Sequence, residues 1–369
     1  MVFERRSYNL RIWWLAFGYF VFYAPYSAIV KVTTTGLLPS TNGVVSGIAL
    51  LPAATIGTAF VILTAMSLLG WWKHVERRDW NGINLVWPNK LVILSGFGTA
   101  IIIGTTTLAY SFSGISIIFA LLLMRGGVLI IAPLVDFLFK RQVRWFSWVA
   151  LGLSLGALFV ALADVNNYKM IWAAGLNIGA YLTGYLLRLP CLNKLGKSQD
   201  KNVTYRYFVE EQFVAAIFLV TIPLFLAVIG QGNLMLELRH GFIDFFSSNV
   251  TLPGLAIGAL YACLYFFGTL IYLDGRENTF CVPLNRCSSL LAGIFATYVL
   301  AFMLHQKPPS AAQLASSGLI VVALLFLSPL HHGRRVASKV RDSLEEVVGE
   351  DLEFASSRGE TTVSNRQSS

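Results

Sequence analysis

The sequence predicts an all-α integral membrane protein with ten transmembrane helices in two inverted five-helix repeats. Three observations lead there: the composition, the spacing of long apolar runs, and two arginines in matching places of the two halves. Of 369 residues, 56% are hydrophobic and only 13% charged, with a mean hydropathy of +0.64. Soluble domains carry roughly 25% charged residues. A helix that crosses the hydrocarbon core needs about 20 mainly apolar residues. Such runs fall near residues 12–30, 44–70, 91–110, 114–138, 145–163, 170–188, 208–230, 253–273, 281–304 and 311–330.

The first run, "RIWWLAFGYFVFYAPYSA", follows Arg5 and Arg6 and ends in small residues, as a signal peptide does. Its length and the many runs behind it predict a permanent helix instead. The third and fourth runs flank the short hairpin "LAYSFSGIS", and the fourth, "ALLLMRGGVLIIAP", carries Arg125 in an otherwise apolar stretch. Between the seventh and eighth runs, "QGNLMLELRHGFIDFFSSNVT" is too long for a tight turn and too polar to span. It predicts an interfacial helix capping the outer mouth, with Asn249 in a glycosylation sequon that matters only in a secretory-pathway host. The ninth run, "VPLNRCSSLLAGIFATYVL", carries Arg286. Beyond Leu330 the tail 331–369 is polar, and Val336, Val340, Leu344, Val347 and Val348 recur at helical spacing. That tail predicts a short amphipathic helix near the membrane and otherwise disorder.

A net charge of +9 would suggest nucleic acid in a soluble chain. Here 22 of the 28 Lys and Arg residues fall in the N-terminus, the even-numbered loops and the tail, whereas 4 fall in the opposite loops. By the positive-inside rule both termini are cytoplasmic and the number of spans is even. Arg188 is counted with the cytoplasmic loop after the sixth run. The basic balance is thus topological, and nucleic acid is not an expected partner. The four cysteines have no metal-ligand spacing, so neither zinc nor a disulfide framework is expected, and no cofactor is implied.

Cutting residues 1–330 in the middle gives repeats 1–165 and 166–330, each with five runs, followed by the tail 331–369. An odd number of spans per half inverts the second half relative to the first, as in many secondary transporters. Arg125 lies at position 125 of the first half and Arg286 at position 121 of the second. Both sit in the fourth span of their half, precede small residues and lead to a short polar turn, "KRQVRW" or "HQKPPS".

These residues resemble the drug/metabolite transporter superfamily in its EamA-type form. The resemblance rests on "MRGGVLIIAPLVDFLFKRQVRWFSWVALGLSLGALFVAL" and "LNRCSSLLAGIFATYVLAFMLHQKPPSAAQLASSGLIVVALLFL". It covers residues 91–163 and 253–330; elsewhere only the number and length of spans match. Where the family often has a glutamate before the fifth span, this chain has Lys140 and Arg141, or His305 and Gln306. The resemblance implies a central cavity between the halves, alternating access, and substrates from amino acids to nucleotide sugars and phosphorylated metabolites.

A central arginine costs about 2.5–3.5 kcal/mol to insert, so Arg125 and Arg286 should face the interior or a water-filled cavity. One reading has them meet across the pseudo-twofold axis and bind an anion, which suits the guanidinium fork. The other has each bond backbone carbonyls or a nearby acid; Asp136, about 16 Å along the helix, is too far from Arg125 for a direct pair. Asn285, Ser288 and Ser289 add polar groups beside Arg286, and Pro283 can free a backbone carbonyl. Thr106 with its neighbours, Asn177, Tyr181, Tyr23 and Tyr26 are further cavity candidates, although packing or interfacial anchoring also accounts for them. The pairs Gly152/Gly156, Gly175/Gly179 and Gly254/Gly258 have the spacing of close helix packing.

No P-loop or other nucleotide-hydrolysing motif occurs, so the expectation is a secondary transporter of a small polar, anionic metabolite rather than an enzyme. Exchange or facilitated movement fits best, since Asp136 is the one buried carboxylate in view for proton coupling. Two alternatives stay open: a flippase of a lipid or lipid-linked phosphate on the same fold, and an integral membrane transferase, for which the cytoplasmic loops lack a convincing acid–base cluster. The expected partners are the bilayer and a small-molecule substrate, and the expected location is the plasma or bacterial inner membrane.

Overall fold

The computed structural model describes residues 2–38, 44–80, 83–109, 117–163, 172–198, 200–304 and 311–327. Helices α1 (Val2–Thr34), α2 (Gly47–Leu68), α3 (Lys90–Leu108), α4 (Ile117–Leu138), α5 (Trp145–Ala163), α6 (Trp172–Cys191) and α7 (Lys201–Ile229) follow in order. Then come the short α8 (Gly232–Ile243), α9 (Thr251–Tyr272), α10 (Asn278–Leu304) and α11 (Ala311–Leu327). Among the described residues six segments are long and apolar enough to cross a membrane: Arg11–Thr34, α2, α3, Asn202–Ile229, α9 and α10. The protein is mostly helical and membrane-embedded, and side chains such as Phe60, Phe137, Phe225 and Phe302 lie exposed on its flanks, where lipid rather than water is the favourable surrounding. The chain divides into Met1–Leu324 and Leu325–Ser369, and of the second unit residues 325–327 are described.

Helix ends are fixed by local chemistry. Ser46, Asn89 and Asp200 cap α2, α3 and α7, each accepting a bond from the amide two residues on, at 3.1, 3.2 and 2.9 Å. Gly230, with φ 59°, ends α7 in the left-handed conformation, and Arg239 from α8 donates to the Ala227 and Val228 carbonyls at 2.8 Å each. The loop after α7 is therefore helical, as its sequence suggests, and it packs on α2 and α7 through Leu238 against Ile48, Leu51 and Ala227.

The main helix contacts include α2 on α9, α3 on α6, α1 on α9, α3 on α7, α1 on α10 and α4 on α6. At the α2–α9 crossing the backbones nearly touch, and a methyl group on Gly57 would sit 2.7 Å from the Leu255 carbonyl oxygen. Thr58 adds a hydroxyl bond to the Gly258 carbonyl at 3.0 Å. Gly254 and Gly258 thus serve close packing, whereas Gly152, Gly156 and Gly179 face open space, so small size alone did not identify a contact. Gly98 and Gly184, which lack a partner glycine at the four-residue spacing, form the tight α3–α6 crossing instead.

Other expectations shift. A two-stranded antiparallel hairpin, β1 (Arg77–Trp80) with β2 (Ile83–Val86), pairs Arg77 with Val86 in the loop before α3, so the fold is not purely helical. Its sequence signal is Asn81-Gly82 between alternating residues. α6 continues to Cys191, which places Arg188 inside the protein at 1% exposure rather than in a cytoplasmic loop. α7 starts at Lys201 rather than near residue 208, where the apolar run begins, so Glu210 and Glu211 are buried well inside the helix. The hairpin tip at 110–116, the turn 305–310 and the tail lie outside the described residues.

Candidate functional site

Tyrosines four apart share a helix face, and three such pairs converge: Tyr19 and Tyr23 on α1, Tyr181 and Tyr185 on α6, Tyr261 and Tyr265 on α9. With Tyr272 they line a cavity of about 40 Å³, into which Arg125, Arg188 and Arg286 also come. Thr106, Asn285 and Gly268 complete its polar and close-packed wall.

Arg286 is 6% exposed and is held by phenols. Its Nη1 donates to Tyr181 at 3.0 Å, and its Nη2 donates to Tyr272 at 2.9 Å and to Tyr185. The Tyr272 hydroxyl in turn donates to Asn285 Oδ1 at 3.0 Å, and the guanidinium stacks 5.0 Å from the Tyr185 ring centre. Among the described residues no carboxylate pairs with Arg286, and two buried donors on the cavity wall, Arg286 Nε and Asn285 Nδ2, have no acceptor. Arg125 is half-buried, donates through Nη2 to Tyr23 at 2.7 Å, and lies 5.7 Å from that ring centre.

The third arginine is different. Arg188 Nε meets Glu211 at 2.8 Å with both side chains at 1% exposure or less, and its Nη2 bonds Glu211 Oε2 at 3.4 Å and Thr269 at 2.9 Å. Ser95, Thr99 and Tyr207 donate to Glu211 Oε1 at 2.9, 3.0 and 3.2 Å. The Arg188 guanidinium also lies 5.0 and 5.6 Å from the rings of Tyr265 and Tyr272, joining this network to the tyrosine wall.

Of the residues singled out in the sequence, Arg125, Arg286, Asn285, Tyr181, Tyr23 and Thr106 line the cavity. Ser288 and Ser289 bond carbonyls of their own helix, Leu284 at 3.0 Å and Arg286 at 2.7 Å. Asn177 ties α6 to α3 through the Thr105 carbonyl at 3.0 Å. None of the three is on the cavity wall described here. The cavity residues that sequence reasoning left out include Tyr19, Tyr185, Arg188, Tyr261, Tyr265 and Tyr272, with Glu211 behind Arg188; the four-residue spacing of the tyrosine pairs is the signal that could have found several of them.

A second polar cluster lies where the α4–α5 turn meets the α9–α10 turn. Asp136, fully buried, accepts from the Asn278 and Thr279 backbone amides at 3.0 and 2.7 Å and from both their side chains, thereby capping α10. Pro283 accordingly lies inside a continuous helix. Glu277 accepts from Arg144 Nε at 2.8 Å and Ser147 at 2.7 Å. Burial pushes its carboxyl upward, but these bonds outweigh it and hold Glu277 below the ordinary carboxylate value. Burial lowers the Lys197 amine, whose Nζ donates to the Arg276 carbonyl at 2.6 Å.

No family model matches the sequence, and no curated protein matches it. A solved structure described only as "Crystal structure of protein" is 14% identical, covers 90% of this chain and 99% of its own length, and superimposes with a TM-score of 0.50. At that identity the likeness concerns the fold alone.

Proposed function

We propose that the chain is a secondary transporter of the drug/metabolite type, with ten spans in two inverted repeats, that moves a small anionic metabolite by alternating access. The repeat is supported by the arginine–tyrosine geometry. Tyr19 and Tyr181, and Tyr23 and Tyr185, are 162 residues apart, while Arg125 and Arg286 are 161 apart. Arg125 donates to Tyr23 and Arg286 to Tyr185, so the same bond recurs in each half. With both termini cytoplasmic, the Asp136 and Glu277 cluster would close the cytoplasmic end of the cavity in this conformation.

The observation that carries the anion reading is Arg286. A buried cation held only by neutral phenols is costly in low dielectric, and a substrate carboxylate or phosphate would neutralise it while filling the open donors on Arg286 and Asn285. The test is the melting temperature of the purified chain in detergent against anionic, neutral, cationic and lipid-phosphate ligands. Ligand at 100 times its Kd adds about 2.7 kcal/mol to stability. A rise with one class of soluble anion, lost in Arg286→Gln, supports the reading. A rise with a polyprenyl phosphate alone replaces it with a lipid flippase, and no rise with any anion removes it.

A further inference from the structure

Building on the transport reading, we propose that Glu211 is a proton-carrying site and that Arg188 couples it to the anion in the cavity, so that anion and proton move together. Glu211 is fully buried, about 15 Å along α7 from Lys201. Arg188 stands between it and the cavity, lining the latter while bonding the former.

The fold does not need this pair. At the 162-residue spacing that relates the two tyrosine pairs, the counterpart of Arg188 is Tyr26 and that of Glu211 is Ala49. At these two positions the first half therefore carries neither an arginine nor a carboxylate. A buried pair is also a poor source of stability compared with apolar residues of similar volume, which leaves its presence on the cavity wall of one half to be explained by function.

The exchange of charge is simple. An anion entering the cavity attracts the Arg188 guanidinium away from Glu211. The carboxylate, left buried without its cation, takes one proton from hydronium, one O–H bond breaking there as one forms on Glu211 and water being left; the load is then one anion and one proton. Release of the anion returns Arg188 to Glu211 and expels the proton. The groups that face Glu211 are Arg188 from α6, Ser95 and Thr99 from α3, and Tyr207 on α7 itself. Tyr265 from α9 reaches the cluster through its hydroxyl bond to Thr99 at 3.0 Å, and Cys191 on α6 feels the Glu211 charge. The hydroxyls can hold either the carboxylate or the acid, so protonation leaves no polar group stranded.

The experiment uses the full chain in detergent with acetate, benzoate and inorganic phosphate as probes. Binding is followed by melting temperature and by calorimetry in buffers of different ionisation heat. Expected is uptake of about one proton per anion, a Kd that rises by about tenfold per pH unit over the range in which that uptake is seen, and loss of both in Glu211→Gln with binding kept. If Glu211→Gln does not fold, infrared difference spectra of the wild type should show a protonated carboxyl on anion addition, shifted in Glu211→Asp. Binding without proton uptake and with a flat Kd overturns the coupling and leaves the anion reading intact. Uptake that persists unchanged in Glu211→Gln, or a carboxyl band unmoved in Glu211→Asp, overturns the assignment to this residue. Failure of all three probes to bind removes the anion reading and the coupling with it.

Discussion

Arg188 and Arg286 line one cavity and are equally removed from solvent, at 1% and 6% exposure, yet their surroundings are opposite. Arg188 meets a carboxylate that four donors share, while Arg286 meets three phenols and keeps an unfilled donor. A buried cation with its counter-charge in place is satisfied within the chain; one without it is satisfied only when something anionic arrives. Burial alone therefore says little about whether an intramembrane arginine is structural or binding. The partner decides.

The largest effect should come from stranding Arg188. Glu211→Ala leaves its guanidinium buried with Thr269 as the remaining polar bond and should cost about 3–5 kcal/mol, read from unfolding in detergent. Glu211→Gln, which keeps the hydroxyl bonds, should cost distinctly less; equal losses would break the comparison, because charge pairing would then not be what holds Arg188. Next comes Arg286→Gln, for which anion affinity should fall by roughly 10- to 100-fold, the worth of charge-assisted bonds of about 1.5–3 kcal/mol, with stability changed by under about 1 kcal/mol. A large stability loss without loss of binding would make Arg286 structural and erase the distinction. Smaller still, Tyr272→Phe removes one acceptor from Arg286 and the donor to Asn285, and should lower stability by about 1 kcal/mol while leaving anion binding measurable.

The contrast was half legible in the sequence. Arg125 and Arg286 stand alone in long apolar runs, so their place in the interior follows from insertion cost, and the structure sets both on one cavity wall. Arg188 and Glu211 hid at the ends of predicted runs, where a charge reads as interfacial. Leu189, Pro190, Cys191 and Leu192 after Arg188, and a helix that starts at Lys201 rather than near 208, moved both inward. Asp136 was read as a possible proton site, but four bonds to Asn278 and Thr279 make it the cap of α10, a tertiary pairing across 142 residues that no local pattern encodes. The tyrosine cage depends on three helices arriving at one place, and only the spacing within each helix is written in the chain.

The smallest effect sharpens the comparison with a third arginine. Arg144 pairs with Glu277 at 2.8 Å, but its side chain is 42% exposed, so water screens the pair and its contribution should be about 0.2–1 kcal/mol. Because Glu277 titrates below its ordinary value in the fold, its contribution is present above the unfolded carboxylate value near 4.3 and is lost as pH falls through the lower folded one. The melting-temperature difference between the wild type and Glu277→Gln should therefore be constant from about pH 6 to 8 and shrink below about pH 4.5. Arg144→Gln should reproduce most of that difference at neutral pH, since the hydrogen bond from Ser147 remains. A difference that grows on acidification would mean that Glu277 is protonated in the fold and that burial, not Arg144, governs it. The order Glu211, Arg286, Tyr272, Glu277 follows how completely each group's charge or bond depends on a protein partner rather than on water or a ligand.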